Sequence, residues 1–417
     1  MHNLAHRRGV SSPLKESDMT ASQQPVREVP WYDRRTFRHV REAAEAYLFL
    51  LPGTFLLLAF NLIPIGYALY ISLHSWRIRK GPFVGLENYT KALGTPLDIL
   101  YVVGGLICLG ASWMVWRKIQ AETPTRELIL RLGFGVLLIV GGMGLFLGLP
   151  RMLADGDKDL FNSLWLTFMY SIGTVPFQIA LSFILAFVLF QNIKGRTIWR
   201  IIYFLPYVTV TVASAAVWQS IFDPTKGQIN QFLMSLGLAE KDLPRWLFSP
   251  TGINTYLGGL FGWEVPSWLG GPSLALVAVM VYNIWTYVGY NAVIYLAGLG
   301  NIPRALYEAA DIDGANRWQV LRRITIPLVS PTTYFLVMMG VLGTFRAFNH
   351  IYVMTGVAGP VGAPNGTTMV ASMLIWKHFW EGHRFGYASA LAFILTGVML
   401  SLTWIQNRAS EGRVFYG

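Results

Sequence analysis

The sequence predicts an all-α membrane protein that crosses the bilayer several times. Hydrophobic residues make up 53% of the 417 positions, and charged residues only 13%, against roughly 25% in ordinary soluble domains. A bilayer core of about 30 Å needs roughly 20 apolar residues per helix, and the chain has about eight stretches of that length. A soluble globule and a disordered chain are therefore excluded. A disulfide scaffold is also excluded, because Cys108 is the single cysteine.

Polar segments separate these apolar stretches, and we predict each stretch to be one transmembrane helix. The predicted spans are residues 47–73, 99–116, 132–150, 160–191, 201–222, 273–299, 328–353 and 386–406. Arg346, in the seventh span, is the only charged residue in the eight predicted spans. A charge at this depth is expected to face protein or a water-filled cavity, so Arg346 is a candidate binding residue.

The distribution of basic residues predicts the orientation. Residues 1–46 are polar and charged and lack the short apolar core of a signal peptide, so we expect them to be cytoplasmic. The inner segments then carry 21 of the 33 Lys and Arg residues, as the positive-inside rule requires. Arg77, Arg79 and Lys80 are an exception on the outer side. The net charge of +11 is thus explained by helix orientation and anionic lipid, and no nucleic-acid binding is predicted.

The acidic residues bear on the energy source. None of the 22 Asp and Glu residues lies in the middle of a predicted span, and His350 is the only deep histidine. A carrier coupled to protons is disfavoured because such carriers bury titratable groups, although sodium coupling stays open. The chain also lacks the G-x-x-x-x-G-K-[ST] phosphate loop. If nucleotide drives this protein, another subunit binds it.

The polar segment between the sixth and seventh predicted spans is expected to form two short helices on the cytoplasmic side. Asn301 can cap the first helix, and Pro303 suits its opening turn. Gly314 can adopt the positive φ that is typical of the residue after a helix end. Asn316 can cap a second helix that ends before Pro327.

The same segment carries a specific motif. It contains Glu-Ala-Ala at 308–310, Asp-Gly-Ala at 313–315 and Ile-Thr-Ile-Pro at 324–327. It resembles the EAA loop of permease subunits of binding-protein-dependent ABC importers. Ile326 stands where leucine is usual and Leu321 where an aromatic residue is common, and both exchanges keep the position apolar.

Further stretches resemble the carbohydrate-uptake branch of this family, the maltose and glycerol-phosphate type permeases. They cover most of the chain from residue 47 to residue 406. They are residues 51–53, 83–89, 205–207, 222–224 with Gly227, Ile229 and Asn230, 295–299 and 385–390.

The resemblance implies a type I ABC importer transmembrane fold with six core helices. This chain departs from it by an inserted two-helix hairpin, which raises the number of spans to about eight, by the length criterion above. The expected divisions are a cytoplasmic segment 1–46, the first core span and outer loop 47–95, the hairpin 96–157, the core transmembrane domain 158–407 with the EAA loop at 300–327, and a cytoplasmic tail 408–417.

The resemblance also implies a function. The chain would be a permease subunit, not itself an enzyme, of an ATP-driven importer of a di- or oligosaccharide or a sugar or polyol derivative, in a prokaryotic inner membrane. Expected partners are a second permease subunit, a dimer of ATPase subunits, an extracytoplasmic binding protein and the lipid bilayer. ATP and Mg would be bound by the ATPase subunits, with no cofactor or metal on this chain. The residues expected to couple to the ATPase are Tyr307, Glu308, Ala309, Ala310, Asp313, Gly314, Ala315 and Arg317.

Substrate contacts are expected deep in the sixth and seventh spans, because sugars are bound by hydrogen-bonding groups and aromatic faces. The candidates are Asn283, Trp285, Tyr287, Tyr290, Asn291, Arg346, Phe348 and Asn349. The alternative function is an ATP-independent secondary carrier or channel. A membrane-embedded transferase is a third possibility, suggested by the pair Asp311 and Asp313, but it would need a second acidic cluster on the same side.

Overall fold

A computed structural model describes residues 34–119, 124–191 and 193–410, and within them all side chains except those of residues 34–41, 117–119 and 124–129. This part of the chain is helical and contains no strand, only isolated β-bridges. Its helices are α1 (Arg34–Leu57), α2 (Ile63–Ser72), α3 (Glu87–Leu93), α4 (Pro96–Ile119), α5 (Pro124–Asp155), α6 (Lys158–Phe190), α7 (Arg196–Val208), α8 (Thr211–Ile221), α9 (Gln228–Ser235), α10 (Ile253–Phe261), α11 (Leu274–Gly300), α12 (Arg304–Ile312), α13 (Arg317–Val320), α14 (Ile326–Phe345), α15 (Asn349–Thr355), α16 (Ala371–Trp376) and α17 (Phe385–Ser410). Three π segments interrupt or extend them, at Leu58–Leu62, Leu321–Thr325 and Lys377–Glu381.

The chain divides into two compact units, residues 1–65 and residues 66–417. The described part of the first unit is α1, the π segment that follows it and the first residues of α2. Residues 1–33 of the predicted N-terminal segment and residues 411–417 of the predicted tail lie outside the described residues. The predicted domain boundaries therefore stay predictions.

Seven helical stretches in the described residues are long and apolar enough to cross a membrane, and a bent pair of helices brings the number to eight. This confirms the predicted polytopic all-α class. The stretches are Glu42–Ser72, Pro96–Trp116, Leu130–Asp155, Lys158–Phe190, Leu274–Gly300, Arg317–Phe345 and Phe385–Ser410, with the bent pair α7 and α8.

The fifth predicted span is not one straight helix. α7 and α8 meet at an angle of 95°. Pro206 near the end of α7 has no N–H to donate to the preceding turn, and the two residues between the helices, Thr209 and Val210, turn away from helical backbone angles. The hydropathy of residues 201–222 predicted the apolar length of this segment but not its change of direction.

The seventh predicted span is wrong at both ends. One helical stretch runs from Arg317 through the π segment to Phe345, and the chain then leaves the helix at Arg346. We expected Pro327 to end the preceding helix, but the π turn before it widens the backbone. A proline ring clashes with the carbonyl four residues earlier in a regular α-helix, and the wider turn relieves that clash. Arg346 therefore lies beyond the end of α14.

The segment predicted as an inserted hairpin forms α4 and α5, which pack closely along their length. A Cβ atom on Gly105 would lie 2.9 Å from the carbonyl oxygen of Gly141, and one on Gly148 would lie 2.7 Å from the Cβ of Tyr101. Glycines therefore let the two backbones approach, as in many membrane helix pairs. The side chains of Arg117, Lys118 and Arg126, near the turn between these helices, lie outside the described side chains.

The core of the second unit is built around α6 and α11. α6 buries a stripe of polar side chains at helical spacing, formed by Ser163, Thr167, Ser171, Thr174, Gln178 and Ser182. Two of them reach neighbouring elements: Thr344 of α14 donates to Ser171 at 2.8 Å, and the amide of Ala371 donates to Thr167 at 2.9 Å. Buried polar groups of this kind hold membrane helices together, because lipid offers no other partner.

A very close helix contact lies at Gly289 of α11, and it leads to a prediction. A Cβ atom there would lie 1.6 Å from the carbonyl oxygen of Tyr203 in α7. We expect Gly289→Ala to push the two helices apart and to destabilise the protein by about 1–3 kcal/mol, the range for overpacked cores. The matched control is Gly397→Ala in α17, where a Cβ atom meets nothing within 4 Å. Thermal midpoints of the detergent-solubilised variants test this, and equal midpoints would contradict it.

Candidate coupling loop and central cavity

The EAA segment folds as a helix, a tight turn and the start of a second helix. Gly314 has φ of +71°, a left-handed conformation that glycine adopts without strain. Asn316 and Gln319 form a capping box, in which each side chain accepts from the other residue's backbone amide, at 2.9 and 2.8 Å. Both features agree with the sequence prediction. Asn301 does not cap α12, because it terminates α11 instead, and Pro303 directly precedes α12.

One face of this coupling loop (residues 304–325) packs inward. Ala310 is buried, and the hydroxyl of Tyr307 lies 3.3 Å from that of Thr325. Glu308 is exposed, and its carboxylate makes no hydrogen bond or ion pair with any described residue. Ile312 and Trp318 are exposed to 87% and 66%. The loop thus combines large exposed apolar side chains with a carboxylate that has no partner in the described residues.

The loop also borders a groove of about 640 Å³ against the last turn of α6. Three of the eight predicted coupling residues line it, and the others lie elsewhere on the loop. These three are Tyr307, Ala315 and Arg317, and Asp311, one of the acidic pair noted in the sequence, lines the groove beside them.

A second concave site, the central cavity, has a volume of about 430 Å³. Residues of α6, α7, α8, α11, α14 and α15 surround it. Its lining consists of Gln178, Tyr207, Thr211, Asn283, Tyr287, Tyr290, Asn291, Phe335, Leu336, Met339, Gly340, Gly343, Thr344, Arg346, Ala347, Phe348, Asn349 and His350.

Seven of the eight predicted substrate contacts line this cavity. They are Asn283, Tyr287, Tyr290, Asn291, Arg346, Phe348 and Asn349. Trp285 does not line it, because its ring lies on another face of α11 and packs against Trp218, with centroids 5.3 Å apart. The structure thus brings two distant parts of the chain, α11 and the residues after α14, to one site.

A buried hydrogen-bond network supports the wall of the cavity. The amide of Gln178 donates to the side-chain oxygen of Asn283 and, at 3.2 Å, to its backbone carbonyl. The amide nitrogen of Asn283 lies 3.5 Å from His350 Nε2, and the hydroxyl of Tyr170 lies 2.8 Å from the same nitrogen. His350 is therefore held by polar side chains of two helices. Gln178 and His350 together fix the direction of the Asn283 side-chain amide.

Aromatic rings and one cation complete the cavity. Tyr207 stacks on Tyr290 with centroids 4.2 Å apart and meets Tyr287 edge-on at 5.7 Å. Arg346 is exposed and lines the cavity, and its guanidinium forms no ion pair or hydrogen bond with the described residues. Rings, amides and a free guanidinium form a site suited to a molecule with many hydroxyl groups or a negative charge.

Comparison with known proteins identifies the family. The model of the binding-protein-dependent transport system inner membrane component matches residues 178–412, more than half of the chain. The chain belongs to this family. This multi-pass transport component is 25% identical to the trehalose/maltose transport system permease protein MalF of Thermococcus litoralis, over 89% of this chain and 96% of that protein. It is 28% identical to the diacetylchitobiose uptake system permease protein NgcF of Streptomyces coelicolor, over 85% and 79%.

The fold of the transport component also matches a solved structure. A chain of the crystal structure of a bacterial ABC transporter involved in the import of the acidic polysaccharide alginate superposes with a TM-score of 0.55 at 19% identity. The match covers 90% of this chain and 98% of that one. The predicted family and fold are therefore confirmed.

No group of three or more His, Cys, Asp or Glu side chains that could hold a metal ion occurs in the described part of the chain. In the acidic run near residue 157, the carboxylate of Asp157 accepts hydrogen bonds from the amide of Asp159 and the hydroxyl of Tyr387. This carboxylate therefore caps α6 and ties it to α17.

The sequence analysis missed Gln178, Tyr207, Thr211 and Thr344 as cavity residues. For Gln178 a signal existed, because it belongs to the polar stripe of α6, whose spacing of three or four residues marks one helix face. Tyr207 and Thr211 reach the cavity only because the chain bends between α7 and α8. Nothing in the local sequence indicated that bend direction.

The Gln178 network leads to a second prediction. Gln178→Leu removes the donor to Asn283 and leaves a buried amide oxygen unpaired, which costs about 1–3 kcal/mol of stability. Because Asn283 then loses its orientation, we also expect the apparent KM for substrate to rise. The matched control is Gln219→Leu, which removes a 3.1 Å bond to the carbonyl of Val353 outside the cavity. We expect that variant to lose stability without a change in KM, and a rise in both variants would contradict the assignment.

Proposed function

We propose that this chain is one of two membrane subunits of an ATP-driven importer that moves a sugar into the cytoplasm. The single observation that carries the proposal is a continuous helical stretch, Arg317–Phe345, which begins in the coupling loop and ends beside the central cavity. At ~1.5 Å per residue, its 29 residues extend over roughly 43 Å. A movement of the loop is transmitted by this helix to Arg346 and the residues that follow.

We propose three kinds of protein partner. A cytoplasmic ATPase subunit, one of two, docks on Glu308, Ile312 and Trp318, and the ATPase dimer holds ATP and Mg. A second membrane subunit completes the translocation path. A binding protein delivers the sugar at the opposite end of the spans. This arrangement requires the coupling loop and both chain termini to be cytoplasmic.

Transport then takes place by alternating access. Closure of the ATPase dimer favours the state in which the cavity opens outward, and its reopening favours the inward-open state. The permease binds the sugar through the amides of Asn283 and Asn291, the tyrosine rings and Arg346. We propose a di- or oligosaccharide or a sugar or polyol derivative, because known relatives include permeases named for trehalose, maltose and diacetylchitobiose.

The proposal is tested by purification from native membranes. We expect an ATPase subunit and a second permease to co-purify with the tagged chain, and ATP hydrolysis in the reconstituted complex to rise when sugar-loaded binding protein is added. A panel of maltose, trehalose, diacetylchitobiose and alginate oligosaccharides then identifies the substrate class. A chain that transports sugar without any ATPase subunit would overturn the proposal.

A further inference from the structure

A third concave site, the outer pocket, lies at the end of α6 opposite the coupling loop. Its volume is about 420 Å³. It forms where the loop after α2, helix α3, the junction between α5 and α6, and the start of α17 meet. Its lining consists of Ser75, Trp76, Arg77, Asn88, Lys91, Gly156, Asp157, Arg384 and Tyr387.

The backbone around this pocket is fixed by hydrogen bonds between these segments. Asn88 is buried and donates to the carbonyls of Ser72 and His74, at 2.8 and 3.1 Å. The amide of Gly386 donates to the carbonyl of Trp76 at 3.0 Å. A Cβ atom on Gly386 would lie 2.2 Å from the carbonyl oxygen of His74, so the contact requires glycine. The pocket is thus preorganised before any ligand arrives.

The pocket has an excess of positive charge. Arg77, Lys91 and Arg384 line it together with one acid, Asp157. Asp157 already accepts two hydrogen bonds, and Lys91 pairs with Glu87 at 2.6 Å. The guanidinium groups of Arg77 and Arg384 form no hydrogen bond or ion pair with the described residues, so both are left to bind an anion.

This pocket also bears on the basic cluster that departs from the positive-inside rule. Of its three members, Lys80 donates to the hydroxyl of Tyr70 and lies 5.1 Å from the centre of its ring. Arg77 lines the outer pocket. Two of the three basic residues thus have a local position that helix orientation does not explain, Lys80 against Tyr70 and Arg77 in the pocket.

The lining favours a carboxylate on a protein over a lipid headgroup. Guanidinium groups bind carboxylates through paired hydrogen bonds. The lining has no Leu, Ile, Val or Met side chain that could contact an acyl chain, and its aromatic members are Trp76 and Tyr387. An acidic side chain on a polar protein surface fits this chemistry.

We infer that the outer pocket receives an acidic side chain of the docking binding protein, which Arg77 and Arg384 bind. The inference rests on the proposed function, because it requires the pocket to be extracytoplasmic. This electrostatic contact at the outer pocket sets the rate and the affinity with which the binding protein docks.

The test uses the complete transporter in lipid nanodiscs, titrated with sugar-loaded binding protein while ATP hydrolysis is measured. We expect Arg77→Glu combined with Arg384→Glu to raise the half-maximal concentration roughly 10-fold or more, because reversed interfacial charges repel the partner's acid. The matched control is Arg79→Glu, two residues away and exposed but outside the pocket lining, with an expected change below about 2-fold. Thermal midpoints and subunit composition check that each variant folds and assembles.

Two further measurements identify the ligand. Replacing acidic surface residues of the binding protein with Arg, one at a time, should yield a variant that restores docking to the doubly reversed permease. If the change in half-maximal concentration depends on the anionic lipid content of the nanodisc and not on the charges of the binding protein, the pocket binds a lipid and the inference is overturned. Equal titrations for the double variant and the Arg79 control would also overturn it. If the unmodified complex shows no stimulation, the proposed function fails instead.

Discussion

Glu308→Lys is expected to abolish ATP-driven uptake by weakening association with the ATPase. The carboxylate of Glu308 is exposed on the coupling loop and has no partner within the described residues, and Ile312 and Trp318 on the same loop are also exposed. Removing one partner of a charge pair that is buried at an interface costs about 2–5 kcal/mol of binding free energy. Since each 1.4 kcal/mol is a factor of ten, we expect association with the ATPase to weaken by roughly 30-fold or more.

The measurement is sugar uptake into proteoliposomes together with the ATPase content of the purified complex. Glu240→Lys is the charge-matched control, because Glu240 is also exposed but lies in the segment between α9 and α10, away from the coupling loop. We expect that variant to retain its ATPase and its uptake. Full uptake by Glu308→Lys would show that the loop does not carry the coupling.

The coupling loop was predictable because its structure is determined locally. Gly314 adopts the left-handed conformation that its place after α12 suggested, and Asn316 forms the expected cap with Gln319. These features depend on residues within four positions of one another. Pro327 was misjudged because its effect depends on whether the preceding turn is α or π, and propensities do not distinguish the two.

The central cavity was only partly predictable, for a different physical reason. α11 is apolar around most of its circumference, so hydropathy does not say which face meets the cavity and which packs against α8. Asn283 and Tyr287, both predicted substrate contacts, line the cavity, whereas Trp285, between them, faces Trp218. The 95° bend between α7 and α8 also had to be seen before Tyr207 could be assigned.

Arg346 is expected to be the side chain on which substrate affinity depends most. It follows α14 directly, lines the cavity and has no partner in the described part of the chain. A hydrogen bond to a charged group is worth about 1.5–3 kcal/mol. We therefore expect Arg346→Met to raise the apparent KM for sugar by roughly 10- to 150-fold, with each factor of ten equal to about 1.4 kcal/mol.

The charge and the hydrogen bonds of Arg346 can be separated by two substitutions. Arg346→Lys keeps the charge, and Arg346→Gln keeps donors without charge. Rescue by Lys alone would indicate an anionic sugar, because a carboxylate or phosphate requires a cation, whereas rescue by Gln alone would indicate a neutral one. Trp285→Leu is the control in the neighbouring helix, outside the cavity, and should leave KM unchanged. If KM is unchanged for Arg346→Met as well, the sugar does not contact this end of α14, and its contacts lie on α11 or on the second membrane subunit.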